Sequence, residues 1–322
     1  MIRGLLTNFL IPNFPDRRGQ PFTWVPFVKN SGDCFCQSKL VLSGVFMQSS
    51  VPDFLINAYN WTVGPIRTVK VRQLKSQGKL PVAILFYHRV ADTHLNGWTI
   101  TKEGFREHLD WLQANFDLVS LTECQQRISS GFNDRPTVAI TFDDGYAENS
   151  EYALPLLLER RIPFTYFVTV GHVLEQRPFE HDCRLGQPLP VDSIESIRAL
   201  AGIGVDIGCH TATHADCGSL SEVHLAREIV DSGRELEDLI GRPVQHFAFP
   251  FGQWPNLSRR SFEFCREYGY KAACSAYGGL NAIGDDAFHL QRMHGDPSLA
   301  RIRNWLSYSG SQMSRARFQY KD

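Results

Sequence analysis

Apolar residues form short uninterrupted runs along most of the chain, and more polar segments separate them. The clearest runs are Val82–Tyr87 and Thr137–Phe142, neither of which contains a charged residue. Such runs are typical of strands buried on both faces, as in a parallel sheet. Shorter runs predict further strands at 164–170, 205–207, 246–249, 271–275 and 289–293.

The segments between these runs carry helical patterns. From Glu103 to Phe116 apolar side chains recur at helical spacing. Thr122 with Gln125, and Ser219 with Glu222, fit capping pairs at helix starts. Further helices are predicted at 147–161, 193–201, 219–241, 257–268 and 297–308. Strands that alternate with helices predict an α/β fold with a parallel sheet, and about seven units fit a distorted (β/α) barrel.

Residues 1–75 differ from the rest, because Pro, Asn and Ser recur there and no strand or helix period is sustained. We predict an irregular or helical N-terminal extension over 1–75, a barrel domain over 76–310 and a polar tail over 311–322. The N-terminus lacks the apolar core of a signal peptide, and no apolar stretch is long enough to span a bilayer. A cytoplasmic location is therefore the default expectation.

Composition and charge limit the kinds of protein that this chain can be. The 322 residues are 43% hydrophobic and 21% charged, as in ordinary globular proteins. A formal net charge of −1 gives no electrostatic support for nucleic acid as a partner. The eight cysteines are scattered and resemble no disulfide scaffold, so reduced thiols are expected. The sequence gives no indication of oligomeric state.

Chemically active side chains follow two of the predicted strands. Asp143 and Asp144 come directly after 137–142, and His210 and His214 follow 205–207. In a barrel, the carboxyl ends of the strands share one rim, so these groups can meet. Adjacent buried carboxylates raise each other's pKa, and a cation offsets that cost. One Asp with two His is a common ligand set for a catalytic divalent metal, and the second Asp can accept a proton from water.

Each motif also has an ordinary interpretation. An Asp-Asp-Gly sequence after a strand is often only a turn, and paired histidines often lie on surfaces or in cores. A closed structural zinc site made of Cys209, His210, His214 and Cys217 is a rival, although it would strain the neighbouring Cys209 and His210. The occurrence of both motifs at successive strand ends favours the catalytic interpretation.

Four segments resemble the motifs of the polysaccharide deacetylases, the NodB homology group of carbohydrate esterase family 4. They are Phe86-Tyr-His-Arg-Val90, Thr141-Phe-Asp-Asp-Gly-Tyr146, His210-Thr-Ala-Thr-His214 and Phe247-Ala-Phe-Pro-Phe-Gly252. The likeness extends from about residue 80 to about 308, in the branch with a Tyr-His-x-Val first strand. It implies a NodB-like barrel that hydrolyses N-linked acetyl groups on a glycan or sugar precursor. It also implies one divalent metal ion, usually Zn²⁺, with Co²⁺, Ni²⁺ or Mn²⁺ as alternatives.

The resemblance implies roles for individual positions. Asp143 would be the general base, and the metal ligands would be Asp144, His210 and His214. Many members carry a base-orienting Arg where this chain has Ala248, and Arg292 is the candidate replacement. The general acid is open between His294, which lies slightly out of the family's register, and His88.

Substrate contacts are expected around the same rim. The resemblance implies an oxyanion-stabilising backbone N–H near Tyr146 and substrate contacts from Pro250 and Phe251. His181 and Asp182, in a predicted long loop over 171–190, are candidates to bind sugar hydroxyls. Two other functions stay open, namely hydrolysis of a non-sugar linear amide and glycan binding without catalysis, the latter suggested by Ala248.

Overall fold

A parallel sheet forms the centre of the structure, a computed structural model that describes residues 51–295, 297–308, 312 and 315–321. The strands in this part of the chain are β1 (Val82–Tyr87), β2 (Arg89–Val90), β3 (Thr99–Ile100), β4 (Asp117–Leu118), β5 (Thr137–Phe142), β6 (Phe164–Val168), β7 (Asp206–Cys209), β8 (His246–Ala248), β9 (Ala272–Ser275), β10 (His289–Gln291) and β11 (Met293–His294). β2 and β3 pair only with each other.

Helices connect most of these strands. They are α1 (Asp53–Ser76), α2 (Lys102–Asn115), α3 (Leu121–Ser130), α4 (Ala147–Glu151), α5 (Ala153–Glu159), α6 (Val170–Glu175), α7 (Glu180–Arg184), α8 (Ile194–Gly202), α9 (Glu222–Leu225), α10 (Ser232–Ile240), α11 (Arg259–Tyr268) and α12 (Leu299–Trp305). A π-helical turn, Ala226–Asp231, joins α9 to α10, and a short 3₁₀ helix, Trp254–Asn256, precedes α11.

The sheet runs β10-β9-β8-β7-β6-β5-β1-β11, and all of these pairings are parallel. Its two terminal strands lie on one segment, 289–294, which pairs first with β9 and then with β1. The sheet is thereby nearly closed around seven strand positions, which confirms the predicted distorted (β/α) barrel.

Asn281 fills the seam where the closing segment changes partner. Its backbone N–H and C=O exchange hydrogen bonds of 2.9 Å with Val82 at the start of β1. Its side-chain amide does the same with the backbone of Gln291, accepting at 2.9 Å and donating at 2.9 Å. Asn281 is fully buried, so one residue satisfies the polar groups of both seam edges.

The barrel interior is closed at its amino end by α3. Inward-facing residues of the strands pack with three apolar residues of this helix, Leu121, Cys124 and Ile128. Gln125 of α3 donates hydrogen bonds to the carbonyls of Lys271 and Ala287, near the starts of β9 and β10. The carboxyl end of the barrel is the opposite opening.

Several predicted boundaries shift. Ser120, not Thr122, caps α3 by accepting a hydrogen bond from the Glu123 N–H at 3.2 Å. Ser221, not Ser219, is the N-cap of α9. The helix predicted over 147–161 is broken at Tyr152. The start of α3 shifts because neighbouring Ser and Thr residues compete locally to satisfy the first N–H groups of a helix.

The predicted long loop over 171–190 is largely helical, since it contains most of α6 and all of α7. Its aromatic Phe179 packs with Tyr146, Leu189 and Val191 in a small separate cluster. The sequence did not predict these two helices because each is only one or two turns long, too short for a clear periodic pattern.

Within the predicted extension, α1 is a 24-residue helix that contains Pro65. Arg67 holds it against the end of α12 through the Ser307 hydroxyl at 2.6 Å and Asn304 at 3.0 Å. The remainder of the predicted extension, 1–50, lies outside the described residues. Among the helices of the described part, none has both the length and the apolar composition needed to cross a bilayer.

In the predicted polar tail, the described residues include two buried or half-buried aromatics, Phe318 and Tyr320. Tyr320 stacks on Phe262 of α11, with ring centroids 4.1 Å apart. This part of the tail therefore packs on the barrel.

Replacing Asn281 with Ala should destabilise the protein by about 2–4 kcal/mol, because it leaves the backbone N–H and C=O of Gln291 buried without partners. Urea unfolding measures the change in free energy. The matched control is Asn115→Ala, which removes an exposed side-chain bond to the Trp111 carbonyl and should cost less than about 0.5 kcal/mol. Equal losses in both variants would contradict the role of Asn281 at the seam.

Candidate metal centre at the carboxyl end of the barrel

Asp144, His210 and His214 converge at the carboxyl end of the barrel. Asp144 follows β5, and the two histidines lie in the loop after β7. One ligand atom from each lies within 4.8 Å of the others. Asp144 Oδ1 is 3.5 Å from His210 Nε2 and 3.3 Å from His214 Nε2. Asp144 and His210 are buried, whereas the His214 side chain keeps 13% of its surface exposed, so the group opens towards solvent on one side.

These three side chains fit a divalent cation. The Nδ1 of His210 lies 2.8 Å from the Ala248 carbonyl, which can only accept, so Nδ1 carries the proton and Nε2 presents its lone pair. Asp144 Oδ1 is buried and has no hydrogen-bond partner among the described residues. A buried carboxylate oxygen facing two imidazole nitrogens is the donor set that zinc and similar ions bind.

The rival structural zinc site receives no support. Cys209 is buried and its Sγ pairs with the Ser232 hydroxyl at 3.3 Å. The thiol of Cys217 is also buried and contacts the Ala215 carbonyl at 3.7 Å. Neither thiol belongs to the cluster that Asp144, His210 and His214 form.

Backbone strain is concentrated at this site. Asp144, Thr211, His214 and Phe251 have φ values of 76°, 68°, 61° and 59°. They make up four of the eight non-glycine residues in the left-handed region within the described part of the chain. Each such conformation costs about 1–3 kcal/mol and persists only where the surroundings enforce it. The fold therefore holds these residues in place at a cost to stability.

Arg292 binds the other carboxylate, Asp143, through both oxygens. Its two terminal nitrogens lie 2.6 Å from Oδ1 and 2.8 Å from Oδ2, and one of them also donates to the Thr141 hydroxyl at 3.1 Å. The guanidinium lies over the rings of Phe86 and Phe167. Burial by itself raises the pKa of Asp143, but the charge and hydrogen bonds of Arg292 outweigh it, so the pKa lies below its usual value. Arg292 is thus in direct contact with Asp143 through both carboxylate oxygens.

His88 and His294 lie side by side near Asp143, with ring centroids 5.7 Å apart. Burial lowers the pKa of His294 to about 3, and His88 lowers it further while Asp143 opposes the shift. Burial also lowers the pKa of His88, against the attraction of Asp144 and Asp143. Both imidazoles are therefore neutral near neutral pH, and each can take up or relay a proton only during a reaction.

Tyr146, His181 and Asp182 form a wall beside the candidate metal ligands. The Tyr146 hydroxyl donates to Asp182 Oδ2 at 2.8 Å and lies 3.0 Å from His181 Nε2. Asp182 is fully buried, and burial raises its pKa to about 6. The His181 side chain is 30% exposed and meets the ring of Trp98 edge-on at 4.9 Å. Of the three residues predicted to contact substrate here, Tyr146 and Asp182 are buried and only His181 reaches the surface.

The loop after β8 also lies beside His214. Phe251 is 53% exposed, and its ring meets the His214 ring edge-on at a centroid distance of 4.9 Å, whereas Pro250 is buried. Exposed aromatic surface beside the candidate metal ligands suits the apolar face of a sugar ring or an acyl methyl group. Trp254, which lies farther along, packs on Tyr277 and Phe318.

Most of the predicted residues are brought together by the structure. Sequence reasoning missed three supporting contacts. Glu228 binds the loop that carries His214, and Gly171 packs against the same loop. The buried Arg89 forms an ion pair with Glu148. No local pattern marks these residues, because each acts on a segment distant in sequence.

Comparison with known proteins adds independent information. Residues 131–273 match the family model described as polysaccharide deacetylase. The Bacillus subtilis (strain 168) protein YxkH, provisionally named a polysaccharide deacetylase, is 22% identical over 233 residues, which cover 70% of this chain and 76% of that protein.

Solved structures share the fold. IcaB from Ammonifex degensii is 23% identical with a TM-score of 0.60, over 71% of this chain and 97% of that one. The Streptococcus pyogenes deacetylase PplD, solved in complex with acetate, is 17% identical with a TM-score of 0.59, over 70% of this chain and 98% of that one. Residues 131–273 of this chain are therefore similar to the polysaccharide deacetylase family, and the barrel shares its fold with solved deacetylases.

Proposed function

We propose that this protein is a metal-dependent hydrolase that removes N-linked acetyl groups from a glycan or a sugar precursor. The observation that carries the proposal is the convergence of Asp144, His210 and His214 beside a carboxylate, Asp143, that Arg292 orients. The PplD structure was solved with acetate, the product that this reaction would release.

Asp144, His210 and His214 would hold the divalent ion, for which Zn²⁺ is the first candidate and Co²⁺, Ni²⁺ and Mn²⁺ are alternatives. Bound there, the ion supplies Lewis acidity, which acidifies water and polarises the acyl carbonyl. Asp144 is suited to this role because its pKa lies well below the usual value: burial opposes the shift, but both imidazoles favour the carboxylate. The chain thus offers a charged ligand at neutral pH.

Asp143 is the proposed general base. Its carboxylate is ionised at neutral pH because of Arg292, and the two hydrogen bonds fix its orientation. It would accept the proton of the water that attacks the amide carbon. The neighbouring Tyr146 backbone N–H is the proposed donor to the carbonyl oxygen as negative charge develops there.

The departing amine needs a proton, and His294 or His88 would deliver it. Both are neutral in the resting protein, so the donor must first receive the proton that water gives up through Asp143. We favour His294, with His88 as the alternative.

The surface that His181, His214 and Phe251 form would take the sugar. His181 offers an imidazole to a hydroxyl group, Phe251 offers an aromatic face, and Pro250 shapes the backbone beneath it. The buried Asp182 would support the wall by fixing Tyr146. A non-sugar linear amide is the second candidate substrate, because the proposed chemistry acts on any accessible acetamide. A panel of small N-acyl compounds compared with N-acetylglucosamine oligomers separates the two.

Metal-loaded protein should release acetate from short N-acetylglucosamine oligomers. Asp143→Asn should lower kcat at least about 10²-fold, because the base is lost, while one metal ion per chain is retained. Asp144→Asn is the matched variant and should lose both metal and activity, because it weakens a ligand. Acetate assay and elemental analysis measure the two properties. Unchanged turnover in Asp143→Asn would exclude the proposed base, and sugar binding without acetate release by the parent protein would favour a non-catalytic glycan-binding protein.

Arg292→Gln should shift the acid limb of kcat/KM to higher pH. Arg292 lowers the pKa of Asp143, so without it the carboxylate stays protonated up to a higher pH and the base is lost earlier on acidification. Arg292→Lys keeps the charge without the paired geometry and should show a smaller shift. The control Arg127→Gln breaks ion pairs with Glu123 and Asp117 elsewhere and should leave the limb in place. An unmoved limb in an active Arg292→Gln protein would remove this contact from the mechanism.

His294→Gln should lower the rate of amide hydrolysis by about 10²–10⁴-fold, as expected on loss of a general acid. The loss should be much smaller for 4-nitrophenyl acetate, whose leaving group departs without protonation. His88→Gln, assayed in parallel, tests the alternative donor. If only the His88 variant shows this dependence on the leaving group, the assignments of the two histidines are exchanged.

A further inference from the structure

The loop that carries His214 is held by a buried carboxylate with no evident chemical role. Glu228, in the π-helical turn between α9 and α10, is 6% exposed. Its Oε2 accepts hydrogen bonds from the backbone N–H groups of Ala212 and Thr213, both at 2.9 Å. Its Oε1 accepts the Thr213 hydroxyl at 2.8 Å. All three bonds fall on residues between the two candidate metal ligands.

The same loop is held from its other side by α6. The N–H groups of Val170 and Gly171 donate to the carbonyls of Thr211 and Ala212 at 3.0 and 2.8 Å. A Cβ at Gly171 would lie 2.6 Å from the Ala212 oxygen, so only glycine permits this approach. The N–H of His214 bonds to the Thr211 hydroxyl at 2.9 Å. The loop backbone is thus bound on both sides, and Glu228 supplies the only charged contact among these bonds.

This support is needed because the loop is strained. Thr211 and His214 both have positive φ, which costs about 1–3 kcal/mol for each residue and must be enforced from outside. Hydrogen bonds from N–H groups to an ionised acceptor are stronger than neutral ones, so a carboxylate is well suited to enforce it.

The π-helical turn explains how a helix places a carboxylate at this loop. Such a turn inserts one residue into a helix and is common at functional sites. The Ser232 hydroxyl donates to the Glu228 carbonyl at 2.6 Å and pairs with the thiol of Cys209, the residue before His210. The turn is therefore attached both to the end of β7 and, through Glu228, to the loop beyond it.

We propose that Glu228 is a positioning residue for the metal centre, which holds the 211–214 loop so that His214 meets Asp144 and His210 before any metal binds. The proposal rests on the metal site proposed above. If so, folding already provides part of the free energy needed to bring the three ligands together. The protein then binds a metal ion more tightly than it would with a loop that could relax.

Glu228→Ala should weaken Zn²⁺ binding by about 10–100-fold, measured by competition with a chromophoric chelator, and should alter the visible spectrum of the Co²⁺-loaded protein. Glu228→Gln should restore most of the affinity, because its amide oxygen can still accept both N–H groups and its NH₂ can donate to the Thr213 hydroxyl.

Two further variants separate the possible outcomes. Asn133→Ala removes a buried side chain that binds the carbonyls of Leu80 and Arg135 at the amino end of the barrel, so it should lower thermal stability while leaving Zn²⁺ affinity unchanged. His210→Ala removes a proposed ligand. If His210→Ala binds Zn²⁺ like the parent protein, the metal site itself is wrong. If His210→Ala loses the ion and Glu228→Ala keeps full affinity, only the positioning role is overturned.

Discussion

Two adjacent carboxylates buried at one end of a barrel are the constraint on which this structure depends. Asp143 and Asp144 are each only 2% exposed, and two like charges so placed are unfavourable without compensation. The fold provides compensation separately, with the Arg292 guanidinium on Asp143 and two imidazoles facing Asp144. This division gives the two neighbours different surroundings. Arg292 holds both oxygens of Asp143, whereas Asp144 keeps one oxygen that faces two imidazole nitrogens.

Barrel closure and the candidate site are parts of one arrangement. The segment 289–294 pairs with β9 up to Gln291 and with β1 from Met293. Arg292 lies between the two pairings, and its side chain binds Asp143. Asn281 hydrogen-bonds to the backbone of Gln291, the residue before Arg292. The contacts that close the sheet therefore also help to place the guanidinium. Disturbing the seam should therefore affect both folding and the orientation of Asp143.

Much of this could be predicted from the sequence. The uninterrupted apolar runs at β1 and β5 predicted a buried parallel sheet, and the polar residues after the strands predicted which side chains meet. Arg292 is a candidate from the sequence because the family's usual arginine position holds Ala248, and the structure brings its guanidinium to Asp143. The sequence could not predict Glu228, Asn281 or the short helices of 170–184, because their roles depend on contacts between distant segments or on helices too short to leave a periodic pattern.

The account requires one divalent ion between Asp144, His210 and His214. Anomalous diffraction at the zinc edge from crystals soaked in Zn²⁺ tests this directly. A single strong peak within about 2.0–2.2 Å of Asp144 Oδ1 and both Nε2 atoms is expected, with at least one position left for water. A peak at the cysteine thiols, or no peak near Asp144, would contradict it.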